Sequence, residues 1–176
     1  MLSWTVLLLL SMFLRGRRFR FPASAAWPGI GESLLTYLRW LPLIVLLAWI
    51  GNLLFPIRSN PLIMELVRNF RGGINLPVQL ALVFFVLILG PLAEEAYFRG
   101  VLYPALLGPM NRPIAALASA GVFALLHGPG AFPAVFLLGL ILVRAYERER
   151  TLAAPLAVHV AHNLLALLAC LLLGEI

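Results

Sequence analysis

The chain has 176 residues, enough for one domain, of which 62% are apolar and only 11% are charged. Because a soluble domain carries about 25% charged residues, this chain has too few to cover a water-facing surface, which excludes a soluble fold. The net charge of +6 comes from Arg residues that lie between apolar runs, so membrane orientation explains it better than nucleic-acid binding. The use of Arg and Glu without Lys or Asp indicates a high-GC coding bias, and we expect an integral protein of a bacterial inner (cytoplasmic) membrane.

Six apolar segments predict an all-α, polytopic membrane helix bundle. They are roughly 2–14, 38–55, 76–93, 113–127, 131–146 and 154–173. A span needs about 20 apolar residues, although shorter runs are tolerated when the bilayer thins or flanking residues snorkel. The mixed apolar and charged stretch 61–71 predicts a short interfacial helix. We expect one membrane-embedded domain over 1–176, with anchor helices and the interfacial segment in 1–75 and a helical core in 76–173.

The distribution of Arg residues predicts the orientation of the bundle in the membrane. If the loop at 15–39 is inside, strict alternation of six spans also places 108–112 and 147–153 inside. These three loops hold eight Arg residues, against three in the loop between the second and third spans. The positive-inside rule therefore favours this orientation, with both termini outside.

Ionisable side chains at membrane depth are costly, so each of the few in this chain is a candidate for function. Glu95 and Arg99 are four residues apart and can pair on one helix face, while Glu94 lies about 100° around the helix. A carboxylate left free in a low-dielectric pocket can act as a general base and then as a general acid. The alternative is an Arg99–Glu clamp that only orders the helix, with the second Glu at an aqueous edge.

Two later segments carry imidazole side chains. Phe123 and His127 share a helix face, so the ring can wall one side of the imidazole, although a lone His at a helix end is more often a cap. His159 and Asn163 also share a face, where two adjacent donors can hold a developing oxyanion. The alternative is that both are polar contacts joining neighbouring helices. His162 lies about 60° from His159, and we expect it to contact another helix.

Residue counting places these groups at different depths. At about 1.5 Å per residue, Glu94 falls near the inner end of its span and His127 near the outer end of the next. Straight, full-length helices would keep the two side chains apart. We therefore expect displaced spans around a deep cavity, or segments that end within the membrane near Pro91 and the Gly/Pro turns.

The ordered pattern Glu94-Glu95-x-x-x-Arg99, Phe123-x-x-x-His127 and His159-x-x-x-Asn163 resembles the motifs of the CPBP family. This is the CAAX prenyl protease and bacteriocin-processing family of intramembrane proteases, also called ABI, and the resemblance covers about 85–170. It implies a glutamic endopeptidase whose catalytic core is 76–173. Glu94 and His127 would activate water, and His159 and Asn163 would form the oxyanion hole. The residues that would support the site are Glu95, Arg99 and Phe123.

The resemblance implies a membrane-associated peptide or protein as substrate, with neither a metal nor another cofactor. The family was long labelled metalloprotease, and because two His and a Glu can supply three ligands, a metal-dependent protease using the same residues stays open. A non-enzymatic transporter, immunity or scaffold protein also stays open, since intramembrane Glu and His serve proton relays. The lack of an internal repeat disfavours a transporter. We expect a peptide precursor or a C-terminal sorting helix as substrate rather than a prenylated chain.

Overall fold

The computed structural model of the protein describes residues 27–55 and 75–173, and all regular structure in these residues is helical. The helices are α1 (Trp27–Leu54), α2 (Leu76–Leu106), α3 (Arg112–Leu125), α4 (Phe132–Glu149) and α5 (Ala153–Leu173). Among the described residues, three helices are long and apolar enough to cross a membrane: Gly29–Leu54, Leu76–Leu106 and Ala153–Leu172. The chain is therefore an integral membrane protein with an all-α helical bundle.

The described helices account for only some of the six predicted membrane spans. Predicted segments 2–14 and 61–71 lie outside the described residues. Segments 113–127 and 131–146 form α3, with 14 residues, and α4, with 18 residues, and neither belongs to the three span candidates. The count of six spans stays a prediction.

Helix α2 continues to Leu106, although the apolar run indicates an end near residue 93. Two wider turns of π geometry interrupt it, at Phe85–Leu89 and Phe98–Leu102. Each ends two residues before a proline, Pro91 or Pro104. A proline lacks the N–H of the helical ladder, and its ring clashes with the carbonyl four residues earlier. The wider turn moves that carbonyl aside, so the helix bends and continues past both prolines.

Helix α4 occupies the centre of the bundle and packs against α1, α3 and α5. Gly29 lies next to Glu149, and Gly51 lies next to Gly130, so α1 and α4 run antiparallel. A Cβ atom at Gly139 would lie 3.0 Å from the Cβ of Ala120, so this glycine permits the close approach of α3 and α4. The buried core draws on all five helices: Tyr37, Ile44, Phe98, Phe123, Ala134, Leu138, Ile141, Leu142 and Val158.

The N-terminal end of α1 and the C-terminal ends of α2 and α4 lie together. The Tyr103 hydroxyl donates to the Glu147 carboxylate, and Arg148 forms an ion pair with Glu32. We call this end of the bundle, which includes loops 108–112 and 147–153, the basic end. The charge pattern predicted that these two loops share a side with a loop at 15–39. The structure places 108–112 and 147–153 beside the start of α1, but 27–39 belong to that helix rather than to a loop, and 15–26 lie outside the described residues. Which side of the membrane they face stays a prediction.

Candidate active site

Three side chains from two helices form a cluster that we call the buried clamp: Glu95, Arg99 and His159. The side chains of Glu95 and Arg99 are fully buried, and Arg99 Nη1 donates to Glu95 Oε1 at 2.9 Å, so the pair predicted by the four-residue spacing is present. Arg99 Nη2 also donates to the Gly139 carbonyl oxygen at 3.2 Å. His159 Nδ1 lies 2.8 Å from the same Glu95 Oε1 and donates to it. The clamp therefore joins α2 to α4 and α5 inside the bundle.

Glu94 differs from its neighbour because its side chain stays 30% exposed. Its Oε2 atom lies 3.6 Å from His159 Nε2, which is longer than a hydrogen bond. A water molecule or a substrate oxygen can bridge two polar groups at this separation. Since Glu95 is engaged by Arg99 and His159, Glu94 is the carboxylate of the pair that an external reactant can meet.

His127 closes the end of α3 with its own side chain. Its backbone N–H donates to the Ala124 carbonyl at 3.0 Å, which leaves the Phe123 carbonyl without its usual helical donor. His127 Nδ1 lies 2.8 Å from that carbonyl oxygen and donates to it. The capping contact considered as an alternative is therefore present. With the Nδ1 proton directed at this carbonyl, Nε2 is the ring nitrogen of the exposed side chain that is left to interact with another group.

The expected difference in depth between Glu94 and His127 is wrong, because α2 does not end at Glu94. The helix runs twelve residues further to Leu106, which places Glu94 about 18 Å from the basic end. Helix α3 starts at that same end with Arg112, and His127 follows fifteen residues later, about 22 Å along. A long α2 and a short α3 therefore bring the two residues to similar depths.

Phe123 connects His127 to the clamp. Its buried ring lies 4.7 Å from the His127 ring and 5.8 Å from the His159 ring, between centroids. The Arg99 guanidinium carbon lies 4.8 Å from the same ring centroid, within the range of a cation–π contact. The structure thus brings Glu94, Glu95, Arg99 and His159 into one cluster, and His127 adjoins it through Phe123.

Asn163 donates from Nδ2 to the Val86 carbonyl oxygen at 3.0 Å. Val86 lies in the first π turn, where the Gly90 N–H bonds to Phe85 instead, and the next residue, Pro91, has no N–H. The Val86 carbonyl is therefore left for an outside donor, and Asn163 supplies it from α5. The contact joins α5 to α2, so the polar contact between helices that was considered as an alternative for Asn163 is present. The second amide hydrogen of Asn163 is left for another acceptor.

His162 faces α1, and its Nδ1 lies 3.1 Å from the hydroxyl oxygen of Tyr37. The two rings meet edge to face with their centroids 5.9 Å apart. The expected contact with a neighbouring helix is confirmed. Tyr37 was not singled out in the sequence, since a tyrosine in an apolar span has no local pattern that indicates its partner. The Glu95–His159 bond was missed for the same reason.

The described residues do not fit a catalytic metal site as they are arranged. A catalytic zinc ion takes three protein ligands, and no group of three or more His, Cys, Asp or Glu side chains in the described ranges is placed to hold a metal ion. Both nitrogens of His159 face Glu carboxylates, and His127 adjoins the cluster through a phenyl ring. One carboxylate oxygen, Glu95 Oε2, is buried without a hydrogen-bond partner among the described residues.

Comparisons with known proteins place this chain beside membrane proteases. The family described as Type II CAAX prenyl endopeptidase Rce1-like matches residues 76–165, which is half of the chain. The chain is also 38% identical over 88 residues to the membrane-embedded CAAX protease MroQ of Staphylococcus aureus (strain USA300). That alignment covers 46% of this chain and 36% of the relative, so the chain spans about a third of the relative's length. No solved structure matches the chain significantly.

Proposed function

Because the chain belongs to the Rce1-like family of type II CAAX prenyl endopeptidases, we propose that it is an intramembrane endopeptidase of the glutamic type. The observation that carries the proposal is the different environment of two adjacent glutamates. Glu95 is buried and engaged by Arg99 and His159, whereas Glu94 is partly exposed beside the second nitrogen of His159. A partly exposed carboxylate that is held in position can act as a general base and then as a general acid.

In the proposed reaction, Glu94 and Nε2 of His127, acting as a hydrogen-bond acceptor, hold a water molecule. Glu94 removes a proton as the water oxygen attacks the scissile carbonyl carbon, and the carbonyl oxygen becomes an oxyanion. Glu94 then gives the proton to the leaving amine when the C–N bond breaks. The products are a carboxylic acid and an amine, so one water molecule is consumed for each peptide bond.

His159 and Asn163 are the proposed donors to the oxyanion. With Nδ1–H directed at Glu95, His159 can donate from Nε2 when both nitrogens carry protons, and two adjacent carboxylates compensate the resulting charge. Asn163 has one amide hydrogen beyond the bond to Val86. Donors held in place before the reaction stabilise developing charge without a cost of reorganisation.

We propose a membrane-anchored peptide precursor or a C-terminal sorting helix as the substrate class. The first half of α2 presents exposed apolar side chains to its surroundings, among them Leu76, Leu80 and Phe84, and leads along the helix towards Glu94. A hydrophobic peptide could approach along this surface from the bilayer. In this proposal 76–173 carries the catalytic groups, and the anchor region 1–75 contributes Tyr37 against His162.

The test compares membranes of cells that lack the protein with the same cells carrying the wild-type chain. Mass spectrometry of peptide termini should reveal a membrane-anchored precursor that accumulates without the protein and is cleaved with it. Purified wild-type protein should then cut a synthetic peptide spanning that site. Glu94→Gln and His127→Ala should each lower kcat/KM by about a hundredfold or more. Glu149→Gln, a matched control in the last turn of α4, should retain full activity.

Three outcomes would overturn the proposal. Full activity of the Glu94→Gln protein would remove the general base. The absence of any accumulated precursor or product would favour a non-enzymatic membrane protein. Activity that disappears on dialysis against a chelator and returns only with a divalent metal would replace the glutamic mechanism with the metal-dependent alternative.

A further inference from the structure

A groove lies between α1 and α4 near the basic end, apart from the candidate active site. Its lining residues are Ser33, Thr36, Ile141, Arg144, Ala145 and Arg148. The residues come from the first turns of α1 and the last turns of α4, which lie together because the two helices are antiparallel. The proposed peptidase reaction uses none of these side chains.

Ser33 is the first indication of a ligand in this groove. The residue is only 4% exposed, and its hydroxyl oxygen has no hydrogen-bond partner among the described residues. A buried hydroxyl without a partner is uncommon and costs free energy. A polar ligand seated in the groove would provide the missing partner.

Arg144 is the second indication. It lies four residues before Arg148, so the two guanidinium groups share one face of α4. Arg148 is paired with Glu32 and Glu149, whereas no ion pair is found for Arg144 among the described residues. The exposed Arg144 fork is therefore available, and the guanidinium group matches the geometry of a phosphate better than any other side chain.

We propose that this groove binds the phosphate of a phospholipid headgroup. Arg144 pairs with the phosphate oxygens, and the Ser33 hydroxyl donates to one of them. The exposed side chains of Trp40 and Leu43 follow Thr36 on the same face of α1, four and seven residues further along, and would contact the acyl chains. Arginines beside an apolar, aromatic-flanked helix surface are the features that favour lipid headgroups.

The acidic residues near the groove determine which arginine contributes most to phosphate binding. Glu32 and Glu149 neutralise Arg148, so the attraction for a phosphate depends mainly on Arg144. Thr36 contributes less than Ser33, because its hydroxyl already donates to the Glu32 carbonyl oxygen at 2.8 Å. The expected order of importance is therefore Arg144, then Ser33, then Thr36.

Native mass spectrometry of the delipidated full-length protein in detergent provides the test. Phosphatidylglycerol and phosphatidylethanolamine should each bind at one saturable site, and diacylglycerol with the same acyl chains should not. Arg144→Gln should weaken binding by about tenfold, and Ser33→Ala by a smaller factor. Ser33→Ala should leave thermal stability unchanged or raised, since it removes an unpartnered buried hydroxyl. Arg39→Gln, which removes the same charge from α1 outside the groove, should bind as wild type does.

Several results would overturn the proposal. Equal binding of diacylglycerol would show that the phosphate is not recognised. Equal losses for Arg39→Gln and Arg144→Gln would indicate diffuse attraction to a basic surface. Displacement of the lipid by millimolar inorganic phosphate would identify a soluble phosphate as the ligand. Circular dichroism of each variant establishes that it is folded, so a loss of binding reports on the groove.

Discussion

Two neighbouring parts of the candidate active site differ in their surroundings. The buried clamp of Glu95, Arg99 and His159 is sealed among α2, α4 and α5, and its members hydrogen-bond to one another. Glu94 and His127 instead stay partly exposed at the edge of the same cluster. We call these two residues the open face. The contrast teaches that two adjacent glutamates can have different environments, and in the proposed function they have different tasks, one structural and one chemical.

The division follows from helix geometry and desolvation. Adjacent residues point about 100° apart on a helix, so Glu94 and Glu95 cannot share one environment. A buried carboxylate needs a cation and hydrogen bonds, and Glu95 receives both. A carboxylate that is satisfied in this way has little capacity left for a reactant. Changes to the clamp should therefore alter stability first, and a change of Glu94 should alter activity alone.

Arg99→Met should have the largest effect on stability. The change leaves the buried Glu95 carboxylate without its cation, which costs about 3–5 kcal/mol for a pair of this kind. Detergent-induced unfolding followed by tryptophan fluorescence measures the loss. The exposed Arg39→Met serves as the control and should change stability by less than about 0.5 kcal/mol. Equal stabilities of the two variants would contradict the division between clamp and open face.

Asn163→Ala should have an intermediate effect, about 1 kcal/mol, because it removes one hydrogen bond to a backbone carbonyl. Hydrogen exchange should accelerate in α2 around the first π turn, Phe85–Leu89. Asn111→Ala removes the side-chain cap of α3 and should cost a similar amount, with faster exchange at Arg112–Leu125 instead. If exchange in α2 is unaltered in the Asn163 variant, the Val86 contact does not hold that turn.

Glu94→Gln should have the smallest effect on stability, within about 0.5 kcal/mol of the wild type, because its side chain is partly exposed and its contact with His159 Nε2 is 3.6 Å long. The same variant is expected to lose peptidase activity. Unfolding and activity measured on one preparation give the sharpest form of the comparison. A large loss of stability would show that Glu94 has a structural role like that of the clamp residues.

Contacts within one helix were predictable, since four-residue spacing determines which side chains share a face. The Glu95–Arg99 pair and the shared helix face of His159 and Asn163 follow from this rule. The contact of His127 with Phe123 follows in the same way. Contacts between helices were not predictable, because an apolar segment carries no signal for the depth or the neighbour of each polar group. The Glu95–His159 bond and the Tyr37–His162 contact are of this second kind.

By itself the sequence determined the membrane class, the all-α architecture and the set of ionisable residues available for chemistry, because burial of charge in a bilayer is costly and the few exceptions stand out. The tertiary structure decided which of those residues contact one another and which stay exposed. The continuation of α2 past Pro91 placed Glu94 in the middle of a long helix, and the short α3 brought His127 to a similar depth. The packing of α5 against α2 then engaged Glu95 with His159 and left Glu94 exposed, since helix packing alone sets which face of α2 is covered.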